Sequence, residues 1–94
     1  MDLIEVNGLG FEGYTIELNN AKLLLIKGKK GILACGYLNI ETADKMQDAM
    51  AIVKGVNSYE DMFNAKVVIV SKAALELGVN ITMTGLEALE AMER

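Results

Sequence analysis

The stretch "KLLLIKGKKGILACGYL", residues 22–38, decides how the chain folds. Two apolar runs, Lys22 to Lys27 and Gly31 to Tyr37, flank Gly28, Lys29 and Lys30. Short apolar runs bounded by turn residues read as strands, and a glycine-lysine connection suits a hairpin tip in water. In Leu23 to Ile26, in Ile32 to Leu38 and again in Val67 to Val70, both alternating faces are apolar. A strand of that kind needs cover on both sides.

Toward the amino end, Leu3 to Val6 reads as a short strand, and Asn7-Gly8 after it is a strong hairpin signal because both residues tolerate positive φ. Tyr14 to Leu18 supplies the returning strand. There Ile16 and Leu18 alternate with Thr15 and Glu17, which predicts one apolar side and one facing water.

Toward the carboxyl end the period changes. Ala43, Met46, Met50 and Val53 recur at helical spacing, with Asn39 as cap and Gly55 as stop, so one long helix is expected from Asn39 to Gly55. Ser58 to Asp61 opens a short helix to about Phe63, Lys66 to Ser71 is a β-branched strand, and a further short helix runs from Lys72 to Leu77 with Gly78 ending it. Asn80 to Met83 is an edge strand or extended chain. Thr84-Gly-Leu-Glu87 has capping-box spacing and starts a last helix with Leu86, Leu89 and Met92 on one stripe.

Four strands, two helices, a strand and two more helices give an α+β domain spanning 1–94, with no internal repeat or linker. With 94 residues there is room for one core. Hydrophobic residues make up 52% of the chain and aromatic ones 5%, an aliphatic surplus for so small a protein, so a homo-oligomer that buries one sheet face is expected. The net charge of −4 argues against nucleic acid and against an anionic membrane as partners. No apolar run approaches the roughly 20 residues of a spanning helix. One cysteine and no secretion-type leader point to a reducing cytoplasm.

The segments "LLLIKGKKGILACGYLN", "AIVKGV" and "MTGLEAL" carry a further signal: over nearly its whole length the chain resembles the small YunC-like proteins of bacteria and archaea, a domain-of-unknown-function family. The first segment is similar to that family's hairpin and Cys-Gly-Tyr segment, the second to its helix exit, the third to its last helix start. The resemblance implies a two-layer α/β sandwich; the element order adds a mainly antiparallel or mixed sheet of about five strands, and of helices on both faces or on one, the aliphatic surplus favours one. It implies no activity.

Chemistry-bearing residues are few. Cys35 is the one thiol, and its catalytic reading needs a nearby helix N-terminus or cation. An extended chain would leave the thiol about 16 Å from the amides beginning at Ile40 unless it turns at Gly36. The competing reading is a small buried hydrophobe, as free cysteine often is. With no histidine in the chain, a Cys-His pair and a one-chain structural zinc site are both excluded.

Gly36 allows close approach of a ligand, Tyr37 follows it, and Asp48, Thr84 and Gly85 are candidates to join them, since a glycine-opened helix start presents amides to an anion. Asp44 and Asp48, four apart, are expected to share a helix face, where solvated acids are the ordinary outcome. The Lys27-to-Gly31 tip lacks phosphate-loop spacing. No cofactor or metal is expected. Three readings of different class remain: a self-associating binding or interaction module for a small ligand such as an anion, an enzyme using Cys35 or carboxylates in a site shared between subunits, and a purely structural role in an assembly.

Overall fold

The computed structural model describes residues 1–93. Its six strands, β1 (Asp2–Val6), β2 (Leu9–Glu17), β3 (Lys22–Lys27), β4 (Ile32–Ala34), β5 (Met50–Ile52) and β6 (Ile69–Val70), form one sheet in sequence order. Every neighbouring pair is antiparallel except β4 and β5, which are parallel. Four helices complete the α+β fold: α1 (Ile40–Met46), α2 (Tyr59–Asn64), α3 (Lys72–Glu76) and α4 (Gly85–Ala91). No helix among the described residues is long and apolar enough to cross a membrane.

The expected hairpins form. Asn7 and Gly8 both take positive φ, 52° and 79°, and join Val6 to Leu9 in a two-residue turn. The returning strand begins at Leu9 rather than Tyr14. Its two early glycines hid it: Gly13 is required because a Cβ there would lie 2.6 Å from both the Ile4 side chain and the Tyr59 ring. The side expected to be apolar and buried is also reversed, since Ile16 is 57% exposed and Phe11 is the residue of β2 sealed in the core.

The long helix from Asn39 to Gly55 does not exist. Asn39 caps α1 as expected, its side chain accepting the Glu41 amide at 2.7 Å, but the helix ends at Gln47 in a left-handed conformation with φ 61°. Residues 49–53, Ala-Met-Ala-Ile-Val, are all buried, and their middle forms β5 beside β4, with Ile32, Leu33 and Ala34 opposite Met50, Ala51 and Ile52. A strand buried on both faces carries no period, so the helical spacing of Met46 and Met50 was accidental. Met46 is in fact 68% exposed.

The sheet has a larger and a smaller apolar side. Phe11, Leu24, Ile26, Leu33, Ala51 and Val53 pack with Met62, Ala74, Ala88, Leu89 and Met92, so α2, α3 and α4 share one side. Ala34, Met50 and Ile52 form a second cluster with Ala43 of α1 on the other side. The helices therefore do not all lie on one face as expected; the β4-α1-β5 crossover puts α1 opposite the rest. Gly85 lets α4 approach α2 closely, since a Cβ there would collide with the Met62 carbonyl.

Caps fix the helix starts. Ser58 accepts the Asp61 amide at 3.0 Å, and Thr84 with Glu87 makes the full capping box. Ser71 does more than cap α3. Its buried hydroxyl accepts the amides of Met50 (2.9 Å) and Ala74 (3.3 Å) and donates to the Asp48 carbonyl (2.8 Å), fastening the start of β5 to the start of α3.

Candidate functional site

Both members of the parallel pair, β4 and β5, end at the same edge of the sheet, and crevices outside the carboxyl ends of parallel strands are where such sheets bind ligands. The chain leaves β4 through a turn in which the Leu38 amide donates to the Cys35 carbonyl at 3.2 Å. It leaves β5 through Lys54 and Gly55, the latter at φ 71°. Between these two exits and the start of β3 lies an open groove of about 510 Å³ lined by Lys22, Cys35, Gly36, Tyr37, Lys54, Gly55, Val56 and Asn57. A second groove of about 360 Å³ shares Gly36, Tyr37 and Lys54 and runs past Asn39, Ile52 and Ile69.

The larger groove is polar in one sense only. Its lining holds two lysines and no carboxylate, on a chain whose net charge is −4. Among the described residues the amides of Gly36, Tyr37, Gly55 and Val56 donate to no acceptor of the chain. Two lysines and four residues with unengaged amides in one lining suit an anion, while Cys35, Val56 and Tyr37 supply apolar wall.

Cys35 sits on the floor. It is 4% exposed, its sulfur accepts the Leu24 amide at 3.3 Å, and its own amide donates to the Leu24 carbonyl. The chain does turn at Gly36, yet the sulfur is engaged with β3. A Cβ on Gly36 would lie 3.4 Å from the Lys54 side chain, so the Gly36 turn and the Lys54 stem form one wall.

The remaining candidates lie elsewhere. Asp48 is past the end of α1, its amide donating to Ala43 and its carbonyl held by Ser71, so it shares no helix face with Asp44. Asp44 instead accepts the Lys72 amide at 2.8 Å. Thr84 and Gly85 begin α4, where Gly85 packs beneath Leu33, and neither lines the groove. Sequence reasoning thus brought Cys35, Gly36 and Tyr37 together and missed Lys22, Lys54, Gly55, Val56 and Asn57. The available signal was the unbroken apolar run before Lys54: taken as a strand, it would have marked the following loop as a crevice wall.

Away from the groove, Tyr59 ties α2 to the hairpin. Its hydroxyl donates to Asp2 at 2.8 Å and accepts from Thr15 at 2.8 Å. Burial pushes its phenol above the usual 10.0; the Thr15 bond acts against that shift, and the Asp2 carboxylate adds to it. No cluster of three or more ligating side chains among the described residues forms a metal site.

Comparison with known proteins agrees with this architecture. The chain is similar to a protein of unknown function, TA1206 from Thermoplasma acidophilum, whose crystal structure superposes with a TM-score of 0.90 at 40% identity over 97% of this chain and 89% of that one. It is 27% identical over 93 residues to the uncharacterized protein YunC of Bacillus subtilis (strain 168), covering 95% of this chain and 92% of YunC. The family model of the domain of unknown function DUF1805 matches residues 34–92, from the end of β4 through α4, and the chain belongs to that family.

Proposed function

We propose that the protein is a self-associating binding module whose groove at the carboxyl ends of β4 and β5 takes a small anion. One observation carries the reading: Lys22 and Lys54 line a groove with no carboxylate, on an acidic chain. Its volume falls in the range of small-molecule sites, roughly 300–1,000 Å³. A cytoplasmic setting goes with it, since the single cysteine is free and buried.

Binding is favoured over catalysis by the state of Cys35. Lys22 and Lys54 line the same groove and supply the cation that the catalytic reading calls for, but the sulfur is covered and accepts the Leu24 amide, which withholds it from a substrate.

Thermal unfolding with inorganic phosphate, pyrophosphate and citrate tests the proposal. A ligand at ten times its Kd stabilises by about 1.4 kcal/mol, which for a domain of this size raises Tm by roughly 6–11 °C. The rise should be lost in Lys54→Glu, whose own Tm stays close to that of the parent. Absence of any shift, or an equal shift in Lys54→Glu, would refute the groove.

A further inference from the structure

The chain leaves β4 and β5 toward opposite sides of the sheet. After Ala34 it turns to α1, on the side of the Ala34, Met50 and Ile52 cluster, and after Ile52 it runs to α2, on the side of the larger core. Diverging exits beside a parallel pair open a crevice over the strand ends. The two grooves occupy its two halves. The first is floored by Cys35, a member of the larger core, and the second by Ile52, a member of the smaller one. They meet at Gly36, Tyr37 and Lys54, which line both. Carbons of the Lys54 side chain stand 3.4–3.9 Å from where a Cβ on Gly36 would lie, so the lysine stem runs along the junction.

The halves differ in chemistry. The first holds both lysines. In the second, Lys54 is the sole charged residue, and Leu38, Ile40 and Ile69 stand half-buried around Ile52 and line the groove. A bare phosphate would occupy the first half and leave this aliphatic wall in water. An apolar wall continuous with a cationic one matches a ligand that has both characters. Of the residues confined to the second groove, Asn39 alone has a polar side chain, and its oxygen is taken by the Glu41 amide at 2.7 Å. A hydroxyl-rich body such as a sugar is therefore poorly matched there.

We infer that the site takes a free amphipathic anion, a phosphate monoester or carboxylate of an aliphatic chain. Its charged head lies in the groove lined by Lys22 and Lys54, and its chain crosses Gly36 into the second groove. The inference rests on the anion reading of the first groove and names its ligand class. Gly36 suits the crossing, since it is exposed, lines both grooves and puts no side chain in the path.

Calorimetric titration with inorganic, methyl, butyl and hexyl phosphate tests this. A buried methylene is worth about 0.8 kcal/mol, about fourfold in affinity, and an open groove buries each only in part. Binding should tighten at least ~10-fold from methyl to hexyl phosphate, and in Ile40→Ser that ratio should fall at least ~3-fold. The hexyl compound should also shift the amides of Leu38, Ile40 and Ile69, beyond those that inorganic phosphate shifts in the first groove. Equal constants for methyl and hexyl phosphate, or hexyl-specific shifts confined to Val56 and Asn57, would overturn the inference and leave the anion site standing. Failure of inorganic phosphate to bind would refute the underlying reading, and this one with it. Flotation with phosphatidylcholine vesicles carrying phosphatidate separates a free ligand from a membrane lipid. The protein, of net charge −4, should stay in solution, and co-flotation would overturn the assignment to a free ligand.

Discussion

The two ends of the parallel pair β4–β5 are built in opposite ways. At the amino end the polar backbone is closed on itself: the Ile32 amide donates to the Ala49 carbonyl, the Lys30 amide to Met92, and the Ser71 hydroxyl serves the Met50 amide, the Ala74 amide and the Asp48 carbonyl together. At the carboxyl end the strands part around Cys35–Tyr37 and Lys54–Asn57, leaving amides without acceptors and a groove whose lining holds Lys22 and Lys54 but no carboxylate. Buried polar groups need partners, whereas groups left open toward a cavity are available to a ligand. The closed end therefore carries stability, and the open end carries the candidate function.

Substitution at the closed end should produce the largest effect. Ser71→Ala removes the α3 cap, strands the Met50 amide in the interior and takes the donor from the part-buried Asp48 carbonyl. A cap is worth about 1 kcal/mol and a buried unsatisfied group about 1–3. A loss of roughly 3 kcal/mol, seen as a fall in Tm of more than about 10 °C, is expected in thermal unfolding. A change under about 0.5 kcal/mol, the ordinary range for surface sites, would erase the contrast between the two ends.

Thiol chemistry sharpens the comparison at the open end. Cys35 lines the groove but is 4% exposed and bonded to the Leu24 amide. Alkylation of the folded protein at neutral pH should run at least ~10-fold slower than that of the unfolded chain, because reaction requires exposure of the sulfur. A folded-state rate above the unfolded one would make Cys35 a reactive centre and return the enzyme reading.

The smallest effect concerns the start of α4, which belongs to the closed part of the molecule. The Glu87 carboxylate accepts the Thr84 amide at 2.9 Å, and this bond holds its pKa below the usual 4.5. The charged form is favoured in the fold, so its contribution is complete above that value and is lost as pH falls through the lowered folded one. Denaturant midpoints between about pH 5 and pH 3 should decline less steeply in Glu87→Gln than in the parent chain. Equal slopes would remove Glu87 from the acid response.

What the sequence disclosed follows the same division. Hairpins and caps are local, and Asn7-Gly8, Asn39, Ser58 and the Thr84–Glu87 box can be read from short windows because their chemistry lies within a few residues. β5 was illegible for a physical reason: burial on both faces erases periodicity, and its partner β4 is reached only through α1. That one misreading hid half the groove, since Lys54 and Asn57 acquire a role only when the preceding run is a strand beside β4.

The most direct test of the central claim is an amide chemical-shift titration of the folded protein with inorganic phosphate. The account predicts saturable shifts concentrated at Gly36, Tyr37, Lys54, Gly55, Val56 and Asn57, absent in Lys54→Glu. Shifts scattered over exposed lysines such as Lys29, Lys30 and Lys45, or centred on Thr84 and Gly85, would contradict it.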